Sequence, residues 1–194
     1  MESFKSLLDA YAEILLYPEH DHKTRVQTCI DQFTDDNADV REMVVEYLSL
    51  VDPLSLSEME ELYIRTFDLN KAGTLDLGWH LFGEDYNRGL FLVKLRQYLR
   101  LLEIPESNEL PDHVSQVLRV LGRMSRNEAN QFAYACVIPA LETIEEGIQD
   151  DNPHGRLVRG SIQLLKSLFE VPAGFEEVTE SEYASPFVQL PVIQ

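Results

Sequence analysis

The hydrophobic residues of this sequence recur with helical spacing along most of its length. Apolar side chains lie three and four positions apart from Phe4 to Leu15, ahead of Pro18, and again from Val40 to Val51, ahead of Pro53. No stretch shows the strict alternation of a strand. Comparable patterns predict further helices near residues 26–33, 59–68, 84–102, 114–121, 128–148 and 157–168.

We therefore predict an all-α fold, a single-domain helical bundle of about eight or nine helices over residues 1–172. Residues 173–194 are acidic and then apolar, and we expect them to form a mobile C-terminal tail. The segment 84–102 is apolar on nearly every side, which predicts a position in the middle of the bundle. The glycine-rich segment 69–83 is predicted to be a loop with one short turn.

Three helix starts carry capping signals in the sequence. Ser55 and Ser125 each precede a glutamate by three residues, the spacing of a capping box. Asn152 followed by Pro153 supplies an N-cap and a first-turn proline. Pro139, by contrast, lies inside a helical pattern and is expected to kink that helix.

The net charge of the chain limits the classes of partner that it can bind. The chain has 34 acidic and 16 basic residues, a formal net charge of -18, which excludes nucleic acid because phosphate binding depends on Lys and Arg. The acidity either serves solubility or attracts a cationic ligand such as an arginine-rich peptide. Cys29 and Cys136 lie in apolar patterns far apart, as expected for buried thiols of a cytoplasmic protein. No apolar span predicts membrane insertion.

The sequence contains no recognisable motif for catalysis or cofactor binding. The His20 and His22 pair is the closest spacing of potential metal ligands, and a solvated helix start explains it better. There is no GxSxG, GxGxxG or GxxxxGK[ST] motif. We predict no catalytic residue, no metal site and no cofactor.

The densest group of polar and aromatic residues lies between residues 61 and 89. Tyr63 and Phe67 share a helix face, either in the core or at a binding site. Asp68, at a helix C-terminus, needs a cation, which Arg65, Arg88 or a ligand would supply. The aromatic residues that follow the glycines form either a peptide-binding surface or part of the core.

Three motifs between residues 61 and 114, taken together, point to a known family. ELYIRTFD at 61–68, WHLFGEDYNRG at 79–89 and ELPDHV at 109–114 resemble, in order and spacing, the NarJ family. That family comprises the delta-subunit chaperones of respiratory nitrate reductase, within the TorD, DmsD and NarJ group of redox-enzyme maturation proteins. The resemblance extends over roughly residues 4 to 170 and is strongest over 61–121.

The resemblance implies an all-helical, cytoplasmic chaperone without catalytic activity. Such proteins bind the N-terminal leader of a molybdoenzyme catalytic subunit, often twin-arginine-like, and hold the enzyme until its cofactor is inserted. The residues that we assign to peptide binding, by the motifs and by their chemistry, are Tyr63, Phe67, Asp68, Trp79, His80, Glu84, Tyr86, Arg88, Asp112 and His113.

Several points stay open at this level. His113 either tunes binding near neutral pH or only starts a helix. The protein is a monomer or a homodimer, and its client is an oxidoreductase of nitrate, selenate, perchlorate, dimethyl sulfide or a related substrate. An accessory subunit retained in the mature complex and a small-substrate enzyme are the alternative functions.

Overall fold

A computed structural model describes residues 2–105 and 107–174 of the chain, and within them the fold is a single all-α domain. The α-helices are α1 (Glu2–Ile14), α2 (His22–Ile30), α3 (Ala38–Val51), α4 (Leu56–Tyr63), α5 (Leu77–Phe82), α6 (Tyr86–Leu101), α7 (Val114–Leu121), α8 (Arg126–Phe132), α9 (Ile138–Glu146) and α10 (His154–Leu168). A π-helical turn (Ile64–Asp68) extends α4, and another (Ala133–Val137) joins α8 to α9 without a break. Counting α8 and α9 as one helix, the described residues hold nine helices, in agreement with the sequence.

The core forms where the apolar stripes of the long helices meet. Helix α1 packs against α2 and α7, while α10 packs against α3 and α9. Large side chains on these helices are fully buried, among them Tyr11, Tyr47 and Leu121. Tyr11 also donates a hydrogen bond to the Leu157 carbonyl at 2.8 Å, which joins α1 to α10 through the core.

The predicted capping signals are all present. The hydroxyl of Ser55 accepts a hydrogen bond from the backbone N–H of Glu58, and the hydroxyl of Ser125 accepts one from that of Glu128. The side chain of each glutamate accepts a hydrogen bond in return from the backbone N–H of the serine. The Oδ1 of Asn152 accepts from the backbone N–H of His154 at 3.0 Å, so it caps α10. These interactions are local, which is why sequence spacing alone locates them.

Pro139 is accommodated by the π-helical turn in front of it. Proline lacks an N–H and its ring clashes with the carbonyl four residues earlier in a regular α-helix. Here the N–H of Ile138 bonds to the Ala133 carbonyl, five residues back, which widens the helix next to Pro139. The helix therefore continues to Glu146.

The prediction that the segment 84–102 lies in the middle of the bundle is wrong. Helix α6 packs on α5 and α7, and its other face is open. Tyr86, Val93 and Leu101 on that face are 78%, 55% and 59% exposed. Helix α6 is therefore peripheral despite its apolar pattern, because tertiary packing decides how many helices surround it.

The segment before α5 is held by the entry to α7. The short turn predicted within 69–83 is helix α5. Just before it, the Val114 N–H bonds to the Leu75 carbonyl at 2.9 Å, and the Leu77 N–H to the Asp112 carbonyl at 3.0 Å. These bonds form an isolated antiparallel bridge between Asp76 and His113.

Both cysteines are buried and free, as expected. Burial raises the pKa of the Cys29 thiol to about 12 and also raises that of Cys136. Within the described part of the chain, no helix is long and apolar enough to cross a membrane. Residues 175–194 of the predicted tail lie outside the described residues.

Gly160 in α10 provides a test of the core. A methyl group there would fall on the buried Tyr11 hydroxyl, whereas nothing lies within 4 Å of the corresponding position at Gly89 in α6. We expect Gly160→Ala to lower the free energy of unfolding by about 1–3 kcal/mol through overpacking. Gly89→Ala, the matched control, should raise it by up to about 1 kcal/mol because alanine favours a helix. Chemical denaturation measures both, and equal effects would contradict the described contact of α1 with α10.

Candidate functional site: an acidic and aromatic cleft

A cleft of about 490 Å³ opens between the segment after α1, the end of α4, the segment before α5 and the connector before α7. We call it the acidic cleft. It is lined by Tyr17, Tyr63, Phe67, Asp68, Thr74, Leu75, Asp76, Asn108, Glu109, Leu110 and His113. Its volume lies within the range of small-ligand and peptide side-chain pockets. None of the side chains that line it is a lysine or an arginine.

Aromatic rings form one side of this cleft. Tyr63 and Phe67 are four residues apart across the π-helical turn, with their ring centroids at 4.9 Å, and Tyr17 meets Tyr63 edge-on at 5.4 Å. Phe67 packs at 4.8 Å on the fully buried ring of His154. Because Tyr63 and Phe67 both rest on the core and line the cleft, the core and binding alternatives for this pair are compatible.

Burial keeps His154 uncharged beneath the aromatic rings. It lowers the pKa of His154 to about 3 and that of the neighbouring His22 to about 4. The Nε2 of His22 lies 2.8 Å from the Tyr47 hydroxyl. This neutral layer leaves the charge of the cleft to its carboxylates.

Three carboxylates face one another in the cleft: Asp68, Asp76 and Glu109. Burial raises the pKa of all three, and the charge of Asp76 raises the pKa values of Asp68 and Glu109 further. Raised values mean that the site holds these negative charges at a cost and favours a positive ligand. Among the described residues, no cation lies within 4 Å of Asp68 or Glu109.

Arg88 pairs with two carboxylates, Asp76 at the cleft and Asp112 behind it. Its Nη2 lies 3.1 Å from Asp76 Oδ2, and its Nε lies 3.6 Å from Asp112 Oδ2. Asp112 is 0% exposed, and its Oδ2 also accepts from the Gly78 N–H at 3.1 Å. Burial and Asp76 raise the pKa of Asp112 to about 6 against the effect of Arg88. Asp112 therefore supports the site from behind, and contact with a leader arginine does not fit its position.

Gly78 is required for this arrangement because of its close approach to the carboxylate. A Cβ at Gly78 would lie 2.6 Å from Asp112 Oδ2 and 3.2 Å from atoms of Arg88 and Phe91. The helix α5 can thus present its backbone N–H to Asp112 only where a side chain is absent. The short segments 76–78 and 112–114 are joined by this contact as well as by the bridge.

His113 caps helix α7. Its Nδ1 accepts from the Ser115 N–H at 3.2 Å and from the Ser115 hydroxyl at 2.8 Å. Burial, and then Arg119, lower the pKa of His113 to about 4. The ring is neutral at physiological pH, so the helix-start alternative describes it and the proposed pH tuning does not.

The other predicted site residues do not line the cleft. His80 donates to the Thr74 carbonyl at 2.8 Å and so fixes the segment that does line it. Trp79 lies beneath Lys71 and Arg88, whose cationic groups are 5.0 and 5.9 Å from the ring centroid. Glu84 is exposed, 3.9 Å from Lys71, and Tyr86 is on the open face of α6. The structure thus brings together Tyr63, Phe67, Asp68 and His113.

Sequence reasoning missed Tyr17, Asp76 and Glu109. Each had a signal: Tyr17 precedes the proline after α1, Asp76 lies within the aromatic region, and Glu109 begins the motif that contains Asp112. The sequence does not show which acidic residue of a motif is buried and which is accessible. Among the described residues, no group of three or more His, Cys, Asp or Glu side chains is placed to hold a metal ion.

Fold and site together define an all-helical protein with an open cleft lined by carboxylates and aromatic rings. The family model of the nitrate reductase delta subunit matches residues 34–150, more than half of the chain. A comparison with curated proteins gave no significant match. The chain belongs to the nitrate reductase delta subunit family, the NarJ-type chaperones that serve molybdoenzyme maturation.

The ion pair of Arg88 with Asp112 is expected to hold the site together. Arg88→Met leaves a buried carboxylate without its cation, so we expect a loss of about 3 kcal/mol in the free energy of unfolding. Asp112→Asn in the same chain should recover part of that loss by removing the charge.

Arg156→Met is the matched control for this cycle. Arg156 pairs with Glu46 at 2.9 Å on the surface, and such a pair contributes within about 1 kcal/mol. Urea denaturation of the wild type, Arg88→Met, Asp112→Asn and the double variant measures the coupling, and Arg156→Met is measured beside them. A loss for Arg88→Met no larger than that of Arg156→Met would contradict the structural role of Arg88.

Proposed function

We propose that this protein is a cytoplasmic assembly chaperone that binds the N-terminal leader of a molybdoenzyme catalytic subunit in the acidic cleft. The client is an enzyme of the nitrate reductase type, and the leader carries arginines in the manner of a twin-arginine signal. The chaperone holds the catalytic subunit while its cofactor is inserted and takes no part in catalysis. Family membership supports the chaperone role, and the chemistry of the cleft supports the ligand.

The observation that carries this proposal is the set of carboxylates without counter-ions. Asp68 and Glu109 face a cavity large enough for side chains, and no described cation neutralises them. A guanidinium group forms bidentate hydrogen bonds with carboxylates and stacks on aromatic faces. Tyr17, Tyr63 and Phe67 supply those faces beside the acids. An arginine of the leader would therefore satisfy both features of the site at once.

Binding of a leader peptide by calorimetry tests the proposal. We expect Asp68→Asn and Glu109→Gln each to weaken the binding of a peptide with paired arginines by about tenfold or more, because a hydrogen bond to a charged group contributes about 1.5–3 kcal/mol. A peptide with both arginines replaced by glutamine should lose affinity for the wild-type protein and show no further loss with either variant.

Glu84→Gln is the matched control for this experiment. It removes the same charge at an exposed position that does not line the cleft, so the affinity should stay within about twofold of the wild type in physiological salt. An affinity that is indifferent to the Asp68 and Glu109 variants would exclude the cleft as the arginine site. Stoichiometric copurification with the mature enzyme would instead favour the accessory-subunit alternative.

The raised pKa values of the cleft carboxylates predict how binding depends on pH. Asp68, Asp76 and Glu109 take up protons at higher pH than ordinary carboxyl groups, and only their charged forms attract arginine. We expect the affinity to fall on acidification, starting at a higher pH than carboxyl groups of ordinary pKa would give, and binding over this titration to release protons. Calorimetry in two buffers of different ionisation heat measures the release. Proton uptake, or an equal pH effect on the arginine-free peptide, would contradict this prediction.

A further inference from the structure

A second groove lies at the other end of α1, away from the acidic cleft. It has a volume of about 600 Å³ and is lined mainly by apolar atoms. We call it the basic-rimmed groove; its lining residues are Phe4, Lys5, Gly122, Arg123, Met124, Ser125, Arg126, Ala129 and Phe169. Phe4 and Phe169 meet edge-on across it with ring centroids at 5.4 Å.

The rim of this groove carries positive charge in a strongly acidic protein. Arg123 is neutralised by Asp9, to which it makes hydrogen bonds of 2.6 and 2.9 Å. Arg126 stacks at 5.3 Å over the Phe4 ring and donates to the Leu168 carbonyl at 2.6 Å. Among the described residues, no carboxylate lies within 4 Å of Lys5 or Arg126. The groove therefore suits a ligand that is both acidic and apolar.

The sequence itself contains a segment with this composition, attached beside the groove. After Lys166 there is no basic residue, and Glu176, Glu177, Glu180 and Glu182 precede the apolar stretch FVQLPVI at 187–193. The segment follows Phe169, which is itself part of the groove, by a few residues. Its tether gives the segment a millimolar effective concentration at the groove.

We propose that residues 175–194 of this chain occupy the basic-rimmed groove of the same molecule. The glutamates interact with Lys5 and Arg126, and the apolar stretch 187–193 contacts the apolar lining around Phe4 and Phe169. The groove is thus an internal docking surface, distinct from the site proposed for the leader.

Nuclear magnetic resonance of the full chain tests this proposal. The backbone order parameters of residues 187–193 should approach those of the domain, above about 0.8, in the wild type. In the double variant Lys5→Glu, Arg126→Glu they should fall below about 0.6. Arg96→Glu, a charge reversal on the exposed part of α6, is the matched control and should leave them high. Values below about 0.6 in the wild type would overturn the proposal.

A spin label at Ser185→Cys identifies the occupant. The natural cysteines are buried, so the introduced thiol is labelled selectively. Docking in the same molecule predicts line broadening at Phe4 and Ala129 within each labelled chain. Broadening that appears only between differently labelled copies would assign the groove to a second molecule, and broadening elsewhere would exclude the groove. Folding of the charge-reversal variants is checked in the same spectra by the unchanged signals of Leu141 and Val158 in the core.

Discussion

The partly buried cluster of Arg88 with Asp76 and Asp112 is the interaction on which the site depends. One guanidinium group on α6 meets a carboxylate before α5 and another before α7, and so connects three parts of the chain that are far apart in sequence. Asp112 can be fully buried only because Arg88 and the Gly78 N–H offset its loss of hydration. The cluster, together with the backbone bridge between Asp76 and His113, holds the segments that line the acidic cleft.

The same cluster explains why the cleft keeps a negative charge. Arg88 is paired with Asp76 and Asp112, so Asp68 and Glu109 receive no counter-ion from the described residues. Both carboxylates have raised pKa values, which means that the folded protein is less stable with them charged than it would be with a cation present. Any bound arginine therefore restores stability as well as gaining contacts, and this linkage favours the bound state.

Structural features that depend on neighbouring residues could be predicted from the sequence, whereas features that depend on distant residues could not. Each capping box, at Ser55 and at Ser125, joins two residues only three positions apart, and the structure confirms both. Helix α6 carries apolar residues on nearly every side, yet which helices surround it is decided by distant parts of the chain. In ELPDHV, Asp112 is buried and Glu109 faces the cleft, a difference created by Arg88 and by the bridge at Asp76. Family resemblance located the motif without assigning these separate roles.

The two surfaces of opposite character are separated by helix α1. Phe4 lies at the groove near the start of α1, and Tyr17 lies at the cleft beyond its end. The eleven residues from Phe4 to Ile14 alone span about 15 Å. A chain with a net charge of -18 repels its own glutamates from the acidic cleft, whereas Lys5 and Arg126 attract them. Under the two proposals made above, charge directs the acidic segment and an arginine-bearing leader to different ends of the same helix, so that neither competes directly with the other.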